Sequence, residues 1–113
     1  MAVDKSLTSG STMMLLLKLL ETKDMYGYEM IETLREKSQN VFELKAGTLY
    51  PLLHNMEEKG YVESYEQEVS GKTRKYYALT KAGKKQLKVK EAEWKEYTEA
   101  VAGVLGGACY GQA

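Results

Sequence analysis

In 113 residues the sequence has one cysteine, one proline, one histidine, one tryptophan and one phenylalanine. With Cys109 alone, an internal disulfide framework is excluded. His54 has no second histidine or cysteine at ligand spacing, so no metal is expected. No run of about 18 apolar residues exists, so no membrane span is expected. The start, MAVDKSLTSGS, lacks the apolar centre of a secretory signal, and the cytoplasm is the expected compartment. No nucleophile stands at a known spacing from a base, and no glycine-rich loop is built to cradle phosphate. Enzymatic activity and a cofactor are therefore not expected. Net charge is also absent, with 16 basic and 16 acidic residues. Overall charge does not point to nucleic acid.

The charges are segregated, however. From Val69 to Lys90 there are eight basic residues and no acid. The acids collect on either side, at Glu57 to Glu68 and Glu91 to Glu99. Such an arrangement makes a local positive field that a net charge hides.

Three helices precede this basic stretch in the periodicity. Met13 to Leu20 is apolar almost all round and predicts a deeply buried helix, with Ser6, Thr8 and Ser9 as alternative caps. Gly10 weakens its first turn. In Tyr26 to Ser38, Gly27, Met30, Ile31 and Leu34 share one face, with Asp24 as a plausible cap and Gly27 allowing close approach of another backbone. Val41 to Leu44 reads as a short strand or an extended linker. In Ala46 to Lys59 the apolar stripe is Leu49, Leu52, Leu53 and Met56. Pro51 stands near the start of that helix, where the missing N–H costs least, and Gly60 suits the left-handed position that ends it.

A hairpin follows. Tyr61 to Tyr65 begins one strand, Ser70-Gly71 is the turn and Arg74 to Leu79 the return strand. Thr80 caps a last helix over about Lys81 to Leu105, which would be ~37 Å long at 1.5 Å per residue. Leu87, Trp94 and Val101 recur every seventh residue, with Tyr97, Val104 and Leu105 beside them, as in helix-on-helix pairing. These six are the expected dimerisation residues.

A helix running straight into a basic hairpin is the reading half of a winged helix-turn-helix. The expected fold is α+β, mainly α: a DNA-binding unit over 1–80, one dimerisation helix over 81–105 and a disordered tail over 106–113. On the third helix, Thr48, Tyr50, His54 and Asn55 can donate hydrogen bonds to phosphates or base edges. Lys45 adds charge ahead of it, while Glu57 and Glu58 keep its far end from phosphate. At the hairpin tip, Lys72, Thr73, Arg74 and Lys75 put three cations beside the turn, able to follow a phosphate backbone. The competing reading is the same winged helix binding a protein, with no DNA.

Several separated motifs resemble the PadR family of bacterial transcriptional regulators. They are Tyr26-Gly27-Tyr28-Glu29, Gly47-Thr48-Leu49-Tyr50-Pro51-Leu52-Leu53, Glu58-Lys59-Gly60, and Arg74-Lys75-Tyr76-Tyr77-Ala78-Leu79-Thr80 with Gly83. The resemblance covers about Leu7 to Val101. It implies a winged-helix domain, a homodimer through C-terminal helices, and repression of a pseudo-palindromic operator, often relieved by a small molecule. The short length is similar to the subfamily with a single C-terminal helix. Some of its members stack flat ligands on a tryptophan in an interfacial pocket. Trp94 stands in the matching place, and Met13, Leu87, Glu91 and Tyr97 are the expected lining for a small aromatic effector.

Overall fold

A computed structural model describes residues 11–106. The candidate caps Ser6, Thr8 and Ser9, Gly10, Cys109 and nearly all of the expected tail lie outside the described residues.

Three short helices form much of the core; the second and third present the faces their periodicity predicts, and the first, apolar almost all round, is largely buried. Helix α1 (Thr12–Thr22) buries Leu16, Leu17, Leu19 and Leu20. Helix α2 (Gly27–Lys37) buries Gly27, Met30 and Leu34. Helix α3 (Ala46–Glu58) buries Leu49, Leu53 and Met56 and leaves Leu52 half-buried. The end of α3 is a Schellman closure. Gly60 sits at φ +80°, its N–H donates to the Glu57 carbonyl, and the Tyr61 N–H donates to the Met56 carbonyl. That sharp stop turns the chain from helix directly into the hairpin.

Strands β2 (Val62–Val69) and β3 (Lys72–Leu79) pair antiparallel, from Val62 opposite Leu79 to Val69 opposite Lys72. Ser70 and Gly71 join them with φ values of 54° and 79°. Positive φ at both central residues is what a two-residue type I′ hairpin requires, and it matches the twist of the strands. The pairing runs right up to the turn. The return strand, expected from Arg74, therefore begins at Lys72, and the side chains of Lys72 to Lys75 alternate between faces.

A strand at Met25-Tyr26 was not expected. Met25 and Tyr26 form β1, which pairs with β3 through Tyr77 and Tyr76 and gives the sheet order β1-β3-β2. Two residues carry no periodicity, and their partners lie about 50 positions later in the chain. Asp24 does not cap α2: the capping position is Tyr26, and the Asp24 carboxylate instead accepts a hydrogen bond from the Tyr65 hydroxyl at 2.7 Å. Val41 to Leu44 forms no strand.

Helix α4 (Lys81–Leu105) begins at Thr80, whose Oγ1 accepts from the Gly83 N–H at 3.0 Å and donates to the Gly60 carbonyl at 2.6 Å. One side chain thus fastens the start of α4 to the end of α3. Gly83 and Leu87 are buried, so the first two turns of α4 belong to the core. Beyond them α4 continues beside α1, with Glu91 3.7 Å from Lys18, and is largely exposed from Glu91 onward.

Candidate nucleic-acid interface

Helix α3 owes its outer face to the residues between its apolar positions. Thr48, Tyr50, His54 and Asn55 are all exposed there, and Lys45 is exposed at the N-terminal cap. Neither Lys45 nor an acid in the first turn covers the helix start with a side chain. The positive end of the helix dipole therefore faces outward with a lysine next to it, a favourable setting for phosphate. At the other end, His54 lies 3.7 Å from Glu58, and Glu57 accepts a hydrogen bond from the Ser64 hydroxyl at 2.7 Å. Acid charge thus collects at the C-terminal end of α3, as expected.

Tyr50 is only half available. It is 48% exposed, yet its hydroxyl end lies over Gly27, where a Cβ would overlap it. Gly27 was expected to admit another backbone; it admits this ring instead. Replacing Gly27 with alanine should push Tyr50 outward, since the overlapping atoms are the far end of a movable side chain. The expected result is a stability loss of about 1 kcal/mol or less, with a larger change in sequence preference than in fold. Thermal melts compared with binding to a panel of duplexes would check it. An unchanged preference would remove Tyr50 from base reading.

The four tip residues divide by face. Lys75 and Thr73 lie on the side of buried Tyr77, the side that packs towards α3; the Lys75 Nζ is 5.6 Å from the Tyr77 ring centre. Burial raises the Tyr77 phenol above its ordinary value, which keeps it a hydrogen-bond donor. Lys72 and Arg74 lie on the opposite face, and the Arg74 guanidinium stacks 4.3 Å from the Tyr26 ring centre. The hairpin therefore offers cations on both sides of a thin blade rather than one cluster.

A second feature lies along α4. Trp94, Tyr97, Val101, Val104 and Leu105 are exposed, with Val104 at 87%. Leu87, the first residue of that heptad series, is 0% exposed within the chain's own core. It is therefore closed both to a second copy and to an effector, because the seven-residue repeat continues inward to the domain that α4 is packed on. A shallow cleft of about 160 Å³ lies between α1 and α4, lined by Ser11, Met14, Lys90, Glu93, Trp94 and Tyr97. Of the expected lining, Trp94 and Tyr97 are there. Met13 packs half-buried against the core, and Glu91 faces Lys18 at 3.7 Å. Met14, which like Met13 was expected in the core or lining such a pocket, is there; Lys90 and Glu93 were missed. A helix that is apolar all round gives no signal of which methionine faces the cleft.

Among the described residues no helix is long and apolar enough to cross a membrane. Residues 16–89 match the family described as "Transcriptional regulator PadR-like family". An uncharacterized protein of Lysinibacillus sphaericus is 38% identical over 88 residues, 77% of this chain and 81% of its own length. Among solved structures, a transcriptional regulator from Clostridium thermocellum matches at TM-score 0.80 and 33% identity, over 85% of this chain and 94% of the other. A PadR family transcriptional regulator from Eggerthella lenta matches at TM-score 0.80 and 32% identity, over 88% and 86%. With the family match spanning more than half of its length, and with the helix-to-hairpin architecture described above, this chain is a member of the PadR-like family of transcriptional regulators, not an enzyme.

Proposed function

We propose that the chain acts as a homodimeric repressor that binds a pseudo-palindromic DNA operator and is released by a small aromatic effector at the dimer interface. The observation that carries the DNA-binding part is the exposed polar face of α3 beside a hairpin with cations on both faces. Helix-turn-helix proteins put the N-terminal half of such a helix into the major groove. Here the acids at the C-terminal end of α3 favour that same half. Thr48, Tyr50, His54 and Asn55 would meet base edges or phosphates, and Lys45, Lys72, Thr73, Arg74 and Lys75 the backbone. The work would be done in the cytoplasm, where chromosomal DNA is met.

The dimer rests on the apolar half of α4. Among the described residues, a row of tryptophan, tyrosine, valine and leucine along this helix stays exposed, and a second copy would cover it. Two-fold symmetry then implies matched half-sites. The cleft of about 160 Å³ is smaller than a typical ligand pocket of roughly 300–1,000 Å³, so the second copy would have to complete it. Trp94, the only tryptophan, would report the effector by fluorescence quenching as planar aromatic compounds are added.

The deciding experiment is a mobility-shift assay on the gene's own upstream duplex across a range of salt. Tight, salt-sensitive, sequence-preferring binding is expected; its absence favours the protein-binding reading. Alanine at Lys72, Arg74 or Lys75 should weaken binding to all sequences alike and lower the salt slope by about one each. Three unchanged slopes would remove the hairpin from the interface.

A further inference from the structure

The outer face of the small sheet is lined with aromatic rings that the core does not use. Tyr26 of β1, Tyr76 of β3 and Tyr65 of β2 are cross-strand neighbours in one row. Tyr65 stacks on Tyr76 with ring centres 5.8 Å apart and planes 14° apart, and Tyr76 meets Tyr26 edge to face at 5.5 Å. Arg74, two residues nearer the hairpin tip on the same face, lays its guanidinium over Tyr26. At the far end the Tyr65 hydroxyl donates to Asp24, 41 positions away in the chain. Because the sheet order is β1-β3-β2, that bond reaches across the central strand and joins the two outer ones. The same bond holds the Tyr65 phenol above its ordinary value, with burial and the Asp24 charge adding to the effect.

Each contact removes a particular freedom. β1 is two residues long and gives the sheet a weak edge. The Asp24–Tyr65 bond braces it. An arginine side chain loses much rotamer entropy when it grips a phosphate, and stacking restricts it beforehand. Tyr26 is also the capping residue of α2, next to the Gly27 on which Tyr50 rests. The row therefore connects the hairpin cation to the helix pair that carries the reading face.

We propose that Asp24, Tyr65, Tyr76 and Tyr26 are positioning residues that fix the hairpin and pre-orient Arg74 for a DNA phosphate. This rests on the DNA-binding reading above. None of the four needs to touch DNA. They act through Arg74, so their effect should vanish when Arg74 is absent.

The test is a double-mutant cycle with the full chain and its own upstream duplex, titrated across salt. Y65F, R74A and the Y65F/R74A double variant are compared with wild type, with thermal melts run alongside. Y65F should weaken binding roughly fivefold and move the salt slope towards that of R74A. The double variant should bind no more weakly than R74A alone. D24N, whose amide oxygen can still accept from Tyr65, should fall between wild type and Y65F. Amide exchange in residues 72–75 should rise in Y65F without DNA present. The proposal is overturned by a Y65F that keeps wild-type affinity and slope. It is equally overturned by the same Y65F loss in both backgrounds, or by a lower melting temperature with an unchanged slope. A wild-type chain that binds no DNA overturns the functional reading itself and this one with it, and is recognised because it needs no variant.

Discussion

Replacing Gly83 with alanine is expected to destabilise the protein by about 3 kcal/mol, a fall in Tm on the order of 15 °C. A Cβ at Gly83 would overlap the Tyr61 carbonyl oxygen and the end of Leu79. The oxygen is backbone, and it already accepts a hydrogen bond from the Thr80 N–H at 3.1 Å. It cannot rotate away as a side chain would. Gly83 also supplies the N–H that Thr80 caps, so moving α4 outward loses that bond as well. The control lies in the same helix. Gly103 has nothing within 4 Å of its would-be Cβ, and alanine there should stabilise by roughly 0.5–1 kcal/mol through helix propensity. Opposite signs at the two positions, read by thermal melts, would establish close approach at Gly83. A Gly83 variant melting within a degree or two of wild type would show that α4 is free to move away from Tyr61.

In the proposed homodimer, replacing Trp94 with alanine should raise the dimer dissociation constant about 30-fold or more while leaving the subunit folded. Buried tryptophans at interface centres are commonly worth 2 kcal/mol or more on truncation. Here Trp94 is 44% exposed within one chain and packs loosely with Tyr97, ring centres 6.1 Å apart. The part left exposed is what a second copy would cover. Leu87, seven residues earlier, separates interface from core: alanine there should cost 2–5 kcal/mol of fold stability because that side chain is completely enclosed. Sedimentation would give the dimer constant and thermal melts the stability. If W94A melts early and sediments as wild type does, Trp94 is a core residue and the dimer contact lies elsewhere. Loss of the dimer should also weaken operator binding, since one half-site is then held alone.

The sequence by itself determined the helices, the order of elements and the punctuation between them. Leu49, Leu53 and Met56 face inward because apolar residues at helical spacing have one way to leave water. Ser70-Gly71, Gly60 and Thr80 act through their own backbone and one side chain each, so their roles follow from local chemistry. The α3 face and the run of cations were legible for the same reason. The tertiary structure alone decided what depends on distant partners. Strand β1 exists because β3 pairs with it, and Asp24 serves Tyr65 rather than its own helix. Tyr50 lies against Gly27, Leu87 closes a core instead of an interface, and Met14 rather than Met13 meets the cleft. In each case the residue's neighbours are brought together by packing between elements, and a one-dimensional pattern carries no term for that.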